Sequence, residues 1–122
     1  MSTLYVAFKG NGNSSNKIVR SLSGDKLFLT NSYNGLKKDI DDINTTYDLV
    51  YMFGLDKKLN KSGIDTIIGN IPIQSLCNEA YWHMLKKFNC HVLFFHIPSI
   101  KYITDNFIKK IEVALGENYD TP

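Results

Sequence analysis

The order in which apolar runs alternate with amphipathic stretches constrains this chain more than any single residue does. Leu4 to Phe8 is an apolar, strand-like run ended by the loop Lys9-Gly10-Asn11-Gly12-Asn13. A short helix follows, capped by Ser14 or Ser15 and running through Leu22, with Ile18, Val19 and Leu22 on its inner side. After the turn Ser23-Gly24-Asp25, Lys26 to Thr30 reads as a second strand. Ser32 or Asn34 opens a helix to about Ile43, with Leu36, Ile40 and Ile43 on one stripe. Asp48 to Phe53 is a third strand, closed by Gly54, and the lysine-rich stretch from Leu55 to Gly63 reads as a loop.

The second half repeats the pattern. Ile64 to Ile68 reads as a fourth strand, broken by Gly69-Asn70-Ile71-Pro72. Ser75 is placed to cap a helix whose Leu76, Ala80, Met84, Leu85 and Phe88 fit a 3.6-residue period. Cys90 to Phe95 is nearly free of polar side chains after His91, which predicts a central, buried strand. Pro98-Ser99 opens a last helix to about Leu115, with Ile103, Phe107, Ile111 and Leu115 at steps of four. Alternation of this kind predicts an α/β fold, a three-layer α/β/α sandwich with a largely parallel sheet. No linker, repeat or low-complexity tract interrupts it, so residues 1–116 read as a single domain and 117–122 as a frayed tail.

Composition narrows the function classes. The net charge is +2, from 14 basic and 12 acidic side chains, and the lysines fall in scattered pairs without interleaved aromatics. No nucleic-acid partner is expected from that pattern. No apolar run approaches the roughly 18 residues of a membrane helix, and Met1 to Val6 runs straight into a strand-like segment with no basic region or cleavage site, so no signal peptide is expected. The two cysteines make no disulfide framework, so a reduced, cytoplasmic setting is the expectation. No His, Cys and carboxylate set has zinc-like spacing, and no metal or other cofactor is expected. The Gly10 to Asn13 loop lacks the Lys-Ser/Thr of a P-loop and the spacing of a dinucleotide fingerprint.

Two residues stand out against this background. With Ser75 as the cap, Cys77 becomes the second helical position, where unbonded N–H groups and the helix dipole favour a thiolate. His96 ends the apolar run Phe94-Phe95-His96-Ile97-Pro98, at the sheet edge where α/β folds bind ligands. An imidazole facing a thiol is a nucleophile with its base. Asp65, heading the predicted fourth strand, is the carboxylate placed to orient the imidazole, and the Cys77 N–H would serve an oxyanion hole. The same residues also have a structural reading, because cysteines are commonly buried and strand-end histidines commonly only hydrogen-bonded. Cys90 reads as a core thiol, His91 as the far end of its strand, and His83 as exposed. Tyr81 and Trp82 read as pocket lining or as packing.

Four segments, in order, resemble the pyroglutamyl peptidase I family of cysteine peptidases. They are Val6-Ala7-Phe8 with Gly12 and Asn16; Tyr51-Met52-Phe53-Gly54 with Asp65 and Asn70 beyond it; Ser75-Leu76-Cys77-Asn78-Glu79-Ala80-Tyr81; and Phe94-Phe95-His96-Ile97-Pro98. The resemblance implies an α/β/α fold and Cys77 as nucleophile. It also implies His96 as base, Asp65 in place of a glutamate, and hydrolysis of an N-terminal pyroglutamate or related small amide without metal or cofactor. It implies a substrate pocket touched by Phe8, Asn16, Asn70 and Leu55, the last standing where the family has a glutamine. Leu59 replaces an arginine, and only Ile71 to Leu76 stands where the family carries a long insertion. These departures motivate a second expectation, an inactive module that binds a small molecule or a protein. A third is an assembly role, in which surface bared by the missing insertion is covered by a homo-oligomer.

Overall fold

The central strand sets the architecture. In the computed structural model, which describes residues 2–55, 67–68 and 71–116 (67–68 and 71–75 by backbone alone), β1 is Thr3–Phe8. Leu4, Val6 and Phe8 are buried on one face of it, Tyr5 and Ala7 on the other. A strand buried on both sides requires a layer on each. β2 (Asp25–Leu29) and β3 (Leu49–Leu55) pair with it in parallel, and a later strand, β6 (His91–Ile97), pairs in parallel with β3. The resulting four-stranded sheet has the order β2-β1-β3-β6. Helices α2 (Tyr33–Asp41) and α3 (Ile73–Lys87) bury Leu36, Ile40, Leu76, Cys77, Ala80 and Met84 against one face. Helices α1 (Ser14–Ser21) and α4 (Asp105–Ala114) bury Ile18, Val19 and Ile108 against the other. The domain is an α/β/α sandwich. No helix among the described residues is long and apolar enough to cross a membrane.

Local chemistry explains the helix starts, and it moves several of them. Asn13, not Ser14 or Ser15, caps α1: its Oδ1 accepts from the backbone N–H groups of Ser15 and Asn16. Ser32 caps α2 by accepting from Gly35 N at 3.0 Å. α3 opens at Ile73, two residues before the expected Ser75 cap. Pro72, the last residue of β5, stands immediately before that start, and without an N–H it cannot extend the strand's ladder. The last helix opens at Asp105 rather than after Pro98, with a 3-10 turn at Ile100–Tyr102 between them. Thr104 accepts from Phe107 N and caps it, and Asp105 complements the dipole in its first turn.

Two strand expectations are corrected. Of Ile64 to Ile68, the described part is β4 (Ile67–Ile68), which pairs antiparallel with β5 (Ile71–Pro72) and stands outside the main sheet. Residues 64–66 lie outside the described residues. β6, expected in the centre, is the terminal strand among the described ones. Its apolar composition belongs to an edge: Leu93 and Phe95 are 45% and 36% exposed. On α3, Leu85 falls off the inner stripe and is exposed, while Leu76, Ala80, Met84 and Phe88 hold it.

β1 is fastened to β3 at its start by Asp48, whose carboxylate accepts from Ser2 N at 2.9 Å. That backbone hydrogen bond holds the Asp48 carboxyl below its ordinary range. A carboxylate depressed in the folded state contributes stability above its unfolded pKa of about 3.9 and loses it as pH falls through the folded value. Asp48→Asn is therefore expected to flatten the acid side of the stability curve. Thermal melts of both proteins between about pH 5 and pH 2 check this; parallel curves would show that the bond is neutral.

Candidate functional site

Gly54 is where the site begins. It is the sixth of seven residues in β3 and is in register with His96 on β6. A Cβ at position 54 would stand 2.7 Å from Cys77 Sγ and 2.5 Å from Phe94 Cζ. Such distances are closer than carbon allows, so the missing side chain is what lets the thiol and the ring settle against β3. Cys77 reaches this point from α3, and His96 stands on the neighbouring strand. Period-two alternation puts Phe94 and His96 on the same face of β6. Their rings lie 5.0 Å apart, and Tyr81 meets Phe94 edge-on at 5.8 Å. The Tyr81 hydroxyl donates to Val92 O at 3.4 Å, which anchors α3 to β6.

These residues enclose a cavity of about 380 Å³, lined by Cys77, Asn78, Tyr81, Leu93, Phe94 and His96. It opens at the carboxyl end of the parallel sheet, where this class of fold binds ligands. Cys77 is 2% exposed and forms part of the cavity's wall; His96 is exposed at its mouth. The structure thus brings the expected nucleophile and base to one cavity.

The thiol's place in its helix differs from the expectation. Cys77 is the fifth residue of α3, not the second. Dipole effects fade beyond the first turn, and the unbonded N–H groups of a helix are its first four. The Cys77 N–H therefore belongs to the helical ladder and does not serve as an oxyanion donor. Donors for that role would come from the first turn, Ile73 to Ser75.

The other expected residues are distributed as follows. Asp65 and Asn70 lie outside the described residues. Phe8 is 4% exposed and belongs to the core under α2 and α3. Asn16 donates from Nδ2 to Phe8 O at 3.1 Å, and Ser15 Oγ accepts from Phe8 N at 3.0 Å. Both contacts tie α1 to the end of β1, so among the described contacts Asn16 is engaged with structure. Leu55 is half-buried at the end of β3, in register with Ile97.

Gly54, Phe94 and Leu93 enter the site without having been singled out by sequence chemistry. Gly54 carried a signal, an apolar strand run that does not stop at its glycine. Of the aromatic pair on α3, Tyr81 lines the cavity, while Trp82 faces outward with the Lys86 ammonium 4.1 Å from its ring centroid. His83, expected to be exposed, has a side chain only 12% exposed and meets Glu79 at 3.1 Å. Cys90 is half-buried just before β6, at the opposite end of the strand from the cavity. Burial, with the Asp48 carboxylate nearby, pushes its thiol pKa up. Comparison with protein-family models, with curated proteins and with solved structures returns no match for this chain.

Gly54→Ala is expected to destabilise the fold by about 1–3 kcal/mol, because a methyl must displace Sγ and the Phe94 ring. Adding Cys77→Ala should recover part of that loss, since it removes one of the two side chains in the way. Urea denaturation of the single and double variants checks the coupling; strictly additive costs would mean that the thiol does not crowd position 54.

Proposed function

We propose that the protein is a thiol-dependent amidohydrolase, a cysteine peptidase resembling pyroglutamyl peptidase I, with Cys77 as nucleophile. One observation carries this reading: Sγ of Cys77 lies against Gly54, the register partner of His96, and thiol and imidazole line one cavity at the sheet's carboxyl edge. In the proposed cycle His96 takes the thiol proton and the thiolate attacks the amide carbonyl. The tetrahedral adduct collapses, the C–N bond breaks, and the imidazolium gives its proton to the leaving amine. Water, deprotonated by His96, then hydrolyses the thioester, releasing the acid and restoring the thiol. Asp65 is proposed to orient the imidazole. A thiol nucleophile needs a reducing setting, which favours the cytoplasm.

A second reading, a module that binds a small molecule without turnover, is favoured by two features: the 2% exposure of Cys77 and its place beyond the first turn of α3. The two readings separate on thiol reactivity. In the hydrolase, Cys77 is alkylated well below the ordinary thiol pKa of about 8.5, and His96→Ala removes that advantage. Cys90, with its thiol pushed up, serves as the slow internal control. Against a panel of pyroglutamyl and related small amides, Cys77→Ala and His96→Ala are each expected to lose about a hundredfold or more in turnover while remaining cooperatively folded. A Cys77 that titrates as an ordinary thiol whatever occupies position 96, with no Cys77-dependent release, would leave the binding module.

A further inference from the structure

The two edges of the sheet differ. β2 begins with Asp25 and Lys26, both exposed and charged, which is how a sheet edge is protected against another strand. β6 has no such device. Its sequence, His-Val-Leu-Phe-Phe-His-Ile, carries no lysine, carboxylate, proline or glycine. Among the described residues it pairs only with β3. Leu93 and Phe95 stand exposed along it, and Phe95 stacks on Phe53 at 5.3 Å and meets Tyr51 at 5.7 Å on the α4 face. A second cavity, of about 220 Å³ and almost wholly apolar, lies there between Phe53, Phe95, Phe107, Ile111 and Leu115.

We propose that β6 is a homodimer interface, with β6 of a second copy pairing antiparallel to it about a two-fold axis beside Phe94. That axis sets Leu93 of one copy opposite Phe95 of the other, twice, so the two exposed apolar side chains of the strand cover each other. It sets Val92 opposite His96 and apposes no like-charged carboxylates or lysines. The contact is isologous and closes on itself, which ends growth at two copies. Size agrees with a stable contact. A seven-residue strand spans about 23 Å, and layers about 10 Å apart make the edge wall roughly 20–30 Å tall. Two such walls bury on the order of 1,000–1,400 Å² in total, at the lower end of specific interfaces. The result is a continuous eight-stranded sheet. Leu93 walls the cavity beside Cys77 and Phe95 the apolar one, so the second copy completes a side of each.

Sedimentation velocity of the full chain across the micromolar range is expected to show a dimer. Leu93→Lys should raise its dissociation constant at least about thirtyfold, the effect of losing a hot spot. Lys26→Glu, on the opposite edge, should leave it unchanged. Cys77→Ala should also stay dimeric, so the association does not depend on the proposed chemistry. Because a lysine at position 93 could unfold the chain, a second measurement reads the register directly. Leu93→Cys protein mixed with Phe95→Cys protein should cross-link under mild oxidation faster than either alone. A monomer at every concentration, or a dimer indifferent to Leu93→Lys whose cysteine pair does not cross-link, overturns the proposal. So does a monomer that instead captures an extended apolar peptide along β6.

Discussion

Everything in this domain depends on a sheet whose inner strands are apolar on both faces. β1 buries Leu4, Val6 and Phe8 on one side and Tyr5 and Ala7 on the other, and β3 buries Val50 and Met52 opposite Phe53. Neither strand has a face that water can hold. Two helical layers are therefore obligatory, and the parallel connections that supply them carry each strand's carboxyl end to the same edge. The loop after β1, the carboxyl end of β3, the first turns of α1 and α3, and His96 all gather there for that reason. The candidate site is a by-product of covering the sheet before it is anything else.

Within that edge the decisive detail is small. Cys77 and Phe94 come from consecutive elements, α3 and β6, and both settle against β3 because it has no side chain at position 54. Close packing turns that gap into a socket that admits sulfur and ring together. The thiol is held by packing in the second turn of its helix, not by the dipole of the first, so any activation must come chiefly from the imidazole across the cavity. Cys90 shows the contrast: it is also partly buried, but sits beside a carboxylate at the strand's other end, where its thiol pKa is pushed up.

The two sheet edges carry opposite chemistry. One is charged at its exposed positions and the other is aliphatic and aromatic from Val92 to Phe95, between His91 and His96. The apolar run that marks β6 as buried in the sequence is the same run that leaves an aromatic wall at the periphery. Apolar composition reports that a strand expects cover on its faces and flanks; it does not report from which chain the cover comes.

The alternation of strands and helices, the inner stripe of α2 and the placing of Cys77 and His96 at one edge were legible in the sequence, because period and turn chemistry are local properties of the chain; on α4 the buried residue is Ile108, off the expected steps of four. Caps were half legible: Ser32 acts as expected, but Asn13 and Thr104 cap starts that serine spacing alone assigned elsewhere, and α3 opens before its expected cap. The strand order, the peripheral place of β6, the withdrawal of β4 from the main sheet and the burial of Phe8 away from the cavity were decided only in the tertiary structure. The physical reason is that each depends on which elements compete for the same face or edge, and that competition is settled between residues far apart in the chain. Gly54 joins the two levels. Its identity is written in the sequence, but its consequence appears only when α3 and β6 close over it.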